Sequence, residues 1–191
     1  LFGENNLNKK RYMKIKRSEF SIVEENISLG LTVEVVYFGL PNENIAALVR
    51  QVKITNTTDK KLHIELFDGI SQLFPYQVSN SGFKNIGNLL RSWMEVSALE
   101  HNIGFYRMRS SSSDTAEVIE TQMGNFYLSS FEGSIIKPIV DSRLIFDYDT
   151  SKRFARYFEK NSVKDILKTE QVTANKIPVG FTGIEVELKS K

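Results

Sequence analysis

The sequence contains no cysteine, and this absence excludes several kinds of chemistry at once. Disulfide bonds, thiolate metal sites and a cysteine nucleophile all require a thiol. No apolar run approaches the roughly 20 residues that span a bilayer, and no signal-peptide core opens the chain. We therefore expect a cytoplasmic location and no association with a membrane.

Neither sign of charge dominates the chain. Its 25 Lys and Arg residues stand against 23 Asp and Glu residues, which leaves a formal net charge of +2. A balance of this kind does not favour a nucleic-acid partner. The one local bias is a basic stretch near the start, which we interpret as the solvated face of a strand or loop. Its cationic residues are Lys9, Lys10, Arg11, Lys14, Lys16 and Arg17.

Residues that usually hold metals or nucleotides are also scarce. The only histidines are His63 and His101, and neither has a second histidine or a close acidic partner on one helical face. Gly82 and Gly87 have the spacing of a phosphate-binding loop, but Asn88 and Leu89 follow where Lys and Ser or Thr are needed. We therefore expect no metal site and no cofactor.

What the chain does have is enough apolar material for one sizeable core. It is 191 residues long, with 41% hydrophobic and 11% aromatic residues, and it shows no internal repeat or low-complexity linker. We therefore predict a single domain over residues 1–191. Because the sequence begins with Leu rather than Met, we expect it to be a fragment of a longer multidomain enzyme.

The most sharply patterned stretch covers residues 40–76. Apolar and polar side chains alternate in it over two runs, which is the period-two pattern of two half-buried strands. Residues 56–60 between the runs carry short polar side chains that accept hydrogen bonds from nearby backbone. The pattern predicts an antiparallel hairpin. The side chains on its apolar faces are Leu48, Val52, Ile54, Leu62, Ile64 and Leu66.

Several other segments are predicted to be extended. LTVEVVYF at residues 31–38 is apolar on both faces, as in a strand covered on both sides, and Gly39 and Pro41 end it. Residues 110–114 are predicted to form a polar loop. The remaining predicted strands cover residues 103–108, 117–123, 125–131 and 181–188.

Two segments are predicted to be helical. Residues 82–99 place apolar side chains at spacings of three and four, which make one helical face. Ser162 and Asp165 predict a second helix start, since the Ser oxygen can cap a backbone amide and Asp165 favours the positive helix end. This second helix is expected to end near Glu170. The residues on the face of the first helix are Ile86, Leu89, Leu90, Trp93, Met94 and Ser97.

Strands at hairpin-like spacing, with few helices between them, argue against a parallel doubly wound sheet. The expected fold class is mainly β. We predict a large antiparallel β-sandwich with short helices, of the supersandwich, galactose-mutarotase-like type.

The stretch at residues 40–76 and three further segments carry a resemblance to a known family. These segments are LLRSWMEV at residues 89–96, IVDSRLIFDYDTS at residues 139–151 and IPVGFTGIEVEL at residues 177–188. Together they resemble the N-terminal β-sandwich domain of inverting glycoside phosphorylases of the cellobiose phosphorylase type, a glycosyltransferase-36-like group. The resemblance covers most of the chain from about Leu31 onward.

The resemblance implies a parent enzyme that cleaves β-linked gluco-oligosaccharides with inorganic phosphate and inverts the anomeric centre. It implies that the general-acid Asp lies in a following helical (α/α) barrel, so that no catalytic residue is assigned in this chain. The sandwich would pack against that barrel, help to form a homodimer and lend a loop to the rim of the substrate pocket. The parent's substrate stays open between cellobiose or cellodextrins and sophorose-type oligoglucans, and a cyclic-glucan synthase is a third parent.

Carboxylates are the side chains that glycosidic chemistry needs, because a carboxylic acid usually protonates the departing oxygen. Asp141, Asp147 and Asp149 form the cluster to consider. DYDTS has the composition of a turn, in which Asp stabilises local bends of the backbone. We therefore interpret this cluster as loop structure or as support for a neighbouring domain.

Aromatic side chains can stack on the apolar face of a sugar. The residues we assign to carbohydrate binding are Tyr148, Asp149 and Trp93, with core packing as the alternative for Trp93 on its apolar helical face. Phe154 and Tyr157, beside Arg153, are assigned to a domain interface, with the chain's own core as the alternative. The other aromatic candidates are Tyr76 and Tyr106.

A function from a different class stays open. The chain would then be a free-standing carbohydrate-binding or mutarotase-like sandwich. A mutarotase needs a His and a Glu that face one pocket, and only His63 and His101 are available.

Overall fold

The structure of the chain is a computed structural model that describes residues 8–111, 116–117 and 119–191. Strands make up 41% and helices 15% of it, and the strands form several antiparallel sheets. The predicted mainly-β class with short helices is therefore confirmed. The sheets are consistent with a β-sandwich.

The strands lie mainly in the first two thirds of the chain, and short helices interrupt them. The strands are β1 (Lys9–Ile15), β2 (Glu19–Asn26), β3 (Leu31–Gly39), β4 (Leu48–Asn56), β5 (Leu62–Ile70), β6 (Met94–Ser97), β7 (Gly104–Met108), β8 (Gly124–Tyr127), β9 (Ser129–Phe131), β10 (Ser134–Ile136) and β11 (Gly180–Leu188). The α-helices are α1 (Asn80–Trp93), α2 (Arg143–Phe146) and α3 (Val163–Lys168), and a 3₁₀ turn covers Leu99–His101.

The chain divides into two compact units. The first runs to Ile64 and includes Val186–Lys191, and the second is Glu65–Glu185. The boundary falls within β5 and β11. The assignment of residues 1–191 to a single domain stays a prediction.

The first unit contains a regular antiparallel sheet with the strand order β1-β2-β3-β4. The predicted strand at residues 31–38 is confirmed as β3, and its burial alternates as expected for a sheet. Leu31, Val33 and Val35 are buried, whereas Thr32 and Glu34 on the opposite face are only half-buried. β3 is therefore buried on one face only, and the expectation that both faces are buried is wrong.

The strands of the predicted hairpin exist, but their predicted pairing is wrong. β4 pairs with β3, and β5 pairs with β11. The period-two pattern sets which face of a strand is apolar, and it does not select the strand's neighbour. The pattern also predicts an apolar face for Leu48, yet Leu48 is 72% exposed because it lies at the end of an edge strand.

The turn between β4 and β5 behaves as its composition predicts. The Asn56 side-chain oxygen accepts a hydrogen bond of 2.9 Å from the Thr58 amide. The Asn56 amide group donates to the backbone oxygens of Lys60 at 2.6 Å and Lys189 at 3.0 Å. Asn56 is buried, and its full set of partners compensates for its removal from water.

The described residues of the second unit form three small hydrophobic clusters in place of one continuous sheet core. Tyr106, in β7, is fully buried in one of them, and its hydroxyl donates a hydrogen bond of 2.8 Å to the Val179 backbone oxygen. Burial raises the pKa of Tyr106 far above its usual value, so this hydroxyl stays protonated. The clusters are built on Ile139, Leu144, Ile145, Phe146 and Ile166, on Leu90, Met94 and Met108, and on Val96, Tyr106 and Val140.

The first predicted helix is correct as far as Trp93 and wrong beyond it. Ser79 caps α1 by accepting a hydrogen bond from the Gly82 amide, and the helix is kinked at Ile86. From Met94 the chain forms β6, which pairs with β7. Met94 and Val96 are buried and Glu95 and Ser97 are half-buried, so a period of two also fits this segment.

The second predicted helix is confirmed as α3. Ser162 accepts a hydrogen bond from the Asp165 amide at 3.2 Å, as expected for a helix N-cap. The helix ends at Lys168, slightly before the predicted Glu170.

The remaining strand predictions have mixed outcomes. Residues 103–108 and 181–188 are confirmed as β7 and β11, and residues 125–131 form β8 and β9 with a break at Leu128. The prediction for residues 117–123 is wrong for the described residues, where only Glu120 makes an isolated bridge, to Ser110. Residues 112–115, in the predicted polar loop, and residue 118 lie outside the described residues.

Within the described part of the chain, no helix has both the length and the apolar character needed to cross a membrane.

Candidate functional site

The candidate site is the loop of residues 147–158, which follows helix α2. Leu144, Ile145 and Phe146 of α2 are buried and fix the start of the loop in a hydrophobic cluster. The Ile145 backbone oxygen then accepts hydrogen bonds from the amides of Tyr157 at 3.0 Å and Phe158 at 3.3 Å. Both ends of the loop are therefore held on the same helix.

Two residues of this loop adopt backbone angles that L-residues rarely take. Asp147 has φ 57° and ψ −132°, and Lys152 has φ 54°. Positive φ brings the side chain close to the backbone, which costs about 1 to 3 kcal/mol for a residue other than glycine. Strained residues of this kind cluster at ligand clamps and switch regions, which favours a functional role for the loop.

Asp149 organises the turn inside the loop. Its Oδ1 accepts hydrogen bonds from the Ser151 hydroxyl at 2.5 Å and from the Ser151 amide at 2.9 Å. The Ser151 hydroxyl is the main cause that lowers the pKa of Asp149, and backbone amides of Ser151 and Phe154 add to it. The expectation that DYDTS forms a turn stabilised by Asp is thus confirmed for Asp149.

Tyr148 is the most exposed aromatic side chain of the loop, at 81%. Its phenol interacts with the Arg143 guanidinium, whose pKa is raised mainly by Asp141 and to a smaller extent by Tyr148. An exposed ring beside a cation and a carboxylate combines a flat apolar surface with hydrogen-bonding groups. This combination suits the face and hydroxyl groups of a sugar.

Asp141 lies at the base of the site and is fully buried. Its Oδ1 accepts from the Arg143 amide at 3.1 Å and lies 3.3 Å from Lys176 Nζ. Its Oδ2 accepts from Arg143 Nη2 at 3.0 Å and from the Val172 amide at 3.1 Å. Burial by itself would raise the pKa of Asp141, but the hydrogen bonds and cations outweigh burial and lower it.

Asp141 therefore acts as a structural anchor that ties α2 to residues 171–176. Gln171 supports the same junction, because its side chain accepts from the Val140 amide at 2.7 Å and donates to the Pro138 oxygen at 3.0 Å. Sequence reasoning singled out Asp141 but missed Gln171 and Lys176. Gln171 and Lys176 are far from Asp141 along the chain, so no local pattern indicates the contact. The spacing of Asp141 and Arg143, in contrast, could have indicated a local ion pair.

The other aromatic candidates have different surroundings. Trp93 is half-buried and packs against the cluster of Leu90, Met94 and Met108, which agrees with the core alternative. Tyr106 is fully buried and Tyr76 is exposed. Tyr148 and Asp149 are adjacent in the loop, and Trp93 lies in a separate cluster, so the three predicted carbohydrate-binding residues are not part of one described cluster.

The two residues predicted to form a domain interface also differ. Tyr157 is half-buried and packs, with Phe158, against the cluster that contains Ile145 and Ile166. Phe154 is 44% exposed. Tyr157 therefore closes the core of its own unit, and Phe154 keeps an exposed apolar surface.

Lys152 is a further residue that sequence reasoning missed. Its Nζ donates a hydrogen bond of 2.5 Å to the Ser71 backbone oxygen, and burial lowers its pKa. This contact ties Lys152, one of the two loop residues with positive φ, to the segment that follows β5. The loop is thus held at its base by Asp141 and at its middle by Lys152.

An open groove of about 470 Å³ lies along the kinked helix α1. It is lined by Phe83, Lys84, Asn85, Ile86, Gly87, Asn88, Leu89, Arg91 and Ile177. None of the residues predicted to bind carbohydrate lines this groove.

The histidines lie at exposed positions. The His101 side chain is 3.6 Å from Glu100, and both are largely open to solvent. His63 is exposed on β5. Among the residues that the structure describes, no three His, Asp or Glu side chains are grouped so that they could hold a metal ion.

Comparison with protein-family models and with curated proteins finds no match for this chain. The resemblance therefore stays a prediction, which rests on the residues quoted for it.

Proposed function

We propose that this chain is a non-catalytic β-sandwich domain of a glycoside phosphorylase that acts on β-linked gluco-oligosaccharides with inorganic phosphate. The proposal that the domain is non-catalytic rests on the hydrogen bonds made by the carboxylates around the candidate loop. Asp141 accepts from five donor atoms of Arg143, Val172 and Lys176, and Asp149 is bound within its own turn.

A general acid for glycoside cleavage must be protonated near neutral pH, which requires a raised pKa. The pKa values of Asp141 and Asp149 are both lowered by their hydrogen-bond donors. Both carboxylates are therefore ionised at neutral pH and unsuited to protonating a leaving group. This supports the assignment of the catalytic acid to a helical (α/α) barrel domain of the parent enzyme.

The role we assign to this chain is to present the loop of residues 147–158 at the rim of the parent's substrate pocket. Tyr148 supplies an exposed ring, Arg143 supplies a donor beside it, and Phe154 supplies an exposed apolar surface for the barrel. The anchors at Asp141, which is buried, and Lys152, which is half-buried, support this role, because a loop that is held rigidly binds with little loss of entropy.

The first experiment measures glucose 1-phosphate released from cellobiose and from sophorose in the presence of phosphate. The chain alone is expected to give none. Turnover that Asp149→Asn abolishes would show that this chain holds the catalytic machinery, and the proposal would then be wrong.

The second experiment measures association of the chain with the separately expressed (α/α) barrel of a cellobiose phosphorylase. Phe154→Ser is expected to weaken association without changing the melting temperature, and Tyr148→Ala is expected to weaken sugar binding by the reconstituted pair. Tyr76→Ser is the matched control, since Tyr76 is also exposed but lies outside the loop. Equal effects of all three changes would remove the loop from the proposed interface.

A free-standing carbohydrate-binding domain is the second candidate, and the exposure of Tyr148 is the observation that favours it. Such a domain would bind cello-oligosaccharides by itself, with the same affinity whether or not a barrel is present. Titration of the chain with cellotetraose, followed by the chemical shifts of Tyr148, separates the two candidates.

A further inference from the structure

The groove along helix α1 has an apolar floor that the core of the second unit holds in place. Phe83 and Ile177 line the groove and pack against the buried cluster that contains Leu90. Ile86 and Leu89 also line it, and they remain 44% and 49% exposed. Exposed apolar side chains in a concave site are typical of a surface that a ligand or partner covers.

The groove spans the kink of α1. Ile86 has φ −131° and ψ 31°, which is outside the helical range, and lining residues lie on both sides of it. Gly82 and Gly87 flank this position, and glycine weakens a helix at the point where it bends. An occupant of the groove therefore contacts side chains of both helical segments.

The charge of the groove has one sign. Lys84 and Arg91 line it, and among the described residues no Asp or Glu does. In the part of the chain that the structure describes, neither cation lies within ion-pair distance of a carboxylate. The sequence itself has no acidic residue between Asp68 and Glu95. Cations without a counter-charge favour an anionic occupant, because complementary charges select the partner.

The order of the lining residues indicates the pattern that an occupant needs. Lys84 and Arg91 lie seven residues apart, and the exposed Ile86 and Leu89 lie between them. Seven residues correspond to roughly 10 Å along a helix axis. A second helix with two acidic residues seven apart, and apolar residues between them on the same face, presents its groups at this spacing.

Other occupants fit the groove less well. A symmetric contact between two copies of this chain would bring Lys84 and Arg91 of both copies together, and like charges at an interface are unfavourable. A membrane surface is also a poor occupant, because binding to anionic lipid usually requires a cluster of more than two basic residues.

We propose that the groove along α1 binds an acidic amphipathic helix of a partner protein. The apolar face of that helix packs on Ile86 and Leu89, and its two acidic side chains pair with Lys84 and Arg91. The apolar contacts supply affinity, and the cations select the charge and register of the helix. The groove shares no residue with the loop of residues 147–158, so the proposal is independent of the role assigned to that loop.

The probe is a fluorescent synthetic peptide, titrated into the full chain and followed by anisotropy. Two glutamates seven residues apart flank two leucines on one face of its helix, and alanine and glutamine fill the other face. We expect saturable binding that weakens as salt screens the charges. A peptide of the same composition, with its glutamates on the opposite face, should bind about tenfold more weakly. Equal affinities, or no binding of the first peptide, would overturn the proposal.

A second pair of peptides tests the helical conformation without changing the protein. Proline in the middle of the peptide breaks its helix and keeps its charges, so it should abolish binding. A lactam bridge on the outer face holds the peptide helical and should strengthen binding, because less entropy is lost. Unchanged affinity of the proline peptide would show that the occupant is not a helix, and the proposal would be wrong.

The double variant Lys84→Glu with Arg91→Glu tests the cations. It should weaken binding of the first peptide by about tenfold or more. The matched control is Lys137→Glu with Lys160→Glu, which reverses two exposed lysines of the same unit outside the groove and should leave binding unchanged. Equal affinities of the two double variants would contradict the proposed charge selection.

Leu89→Gln tests the apolar contact, since Gln keeps a high helix propensity, and it should weaken binding several-fold. Circular dichroism checks that each variant folds, and the peptide pairs decide the matter if one does not. Tighter binding to phosphatidylserine vesicles than to the peptide would overturn the proposal in favour of a lipid surface. Dimerisation of the chain that Arg91→Glu abolishes would overturn it in favour of a second copy.

Discussion

In the first unit Glu24 is a fully buried carboxylate held by side chains, whereas in the second unit the buried carboxylate of Asp141 is held by backbone amides as well as by side chains. Arg11 Nε lies 2.7 Å from Glu24 Oε2, and Lys9 Nζ lies 3.8 Å from Oε1. Oε1 has no hydrogen-bond donor within reach among the described residues. Asp141 instead accepts from two backbone amides as well as from two cationic side chains.

The difference follows from the regularity of the surrounding backbone. In the antiparallel sheet of the first unit, strand pairing already uses the backbone amides, so a buried acid must be neutralised by side chains from the neighbouring strand. In the irregular second unit, amides at loop and helix ends are still available to a carboxylate. Positive φ angles also distinguish the regular first unit from the irregular second unit. Among described non-glycine residues, only Asn42 has a positive φ in the first unit.

The largest expected effect comes from Asp141→Asn. Asn keeps the shape of Asp but leaves Arg143 and Lys176 without their shared counter-charge, and its amide group opposes donors. We expect the free energy of unfolding to fall by about 3 kcal/mol. Urea denaturation followed by the fluorescence of Trp93, the only tryptophan and a residue of the second unit, measures this change. Asp59→Asn, in an exposed turn, is the control and should cost less than about 0.5 kcal/mol.

Acid should remove the stabilisation of the fold that Asp141 provides. Its pKa is lower in the folded chain than in the unfolded chain, so the unfolded chain binds a proton first as the pH falls. The stabilisation is fully present above the unfolded pKa of about 4 and is lost as the pH falls through the lower folded pKa. Denaturation between neutral pH and acid should therefore show a smaller loss in Asp141→Asn than in the unchanged chain. Parallel curves would contradict the assigned role of Asp141.

Glu24→Gln should have a smaller effect than Asp141→Asn. Glu24 has fewer donors, and Arg11 is partly open to water and can be solvated when the carboxylate is removed. We expect a loss of about 1 to 2 kcal/mol, measured by urea denaturation followed by far-ultraviolet circular dichroism. A loss as large as that of Asp141→Asn would show that side-chain ion pairs anchor a buried acid as firmly as ion pairs and backbone amides do together.

The smallest expected effect is a gain in stability from Asp147→Gly. Glycine adopts positive φ without a clash, so the change should relieve strain and raise the free energy of unfolding by about 1 kcal/mol. Asp147→Ala removes the same carboxylate but keeps the β-carbon, so it should not give this gain. Equal results for the two variants would mean that the backbone of the loop is not strained.

The patterns that depend on neighbouring residues predicted local structure well. The run at residues 31–38 that is apolar on both faces predicted β3, the alternation at residues 181–188 predicted β11, and Ser162 with Asp165 predicted the start of α3. These features depend on side chains within a few residues of one another, so they are visible in the sequence. Met94 and Val96 were assigned to a helix because a short apolar run fits a period of two as well as spacings of three and four.

The sequence by itself determined that residues 31–38, 103–108 and 181–188 are extended and that a capped helix begins at Ser162. Only the tertiary structure decided that β5 pairs with β11 rather than β4, and that Asp141 meets Gln171 and Lys176. The physical reason is the range of the interactions. Periodicity and capping act over a few residues, whereas strand pairing and the neutralisation of a buried charge join residues that are far apart along the chain.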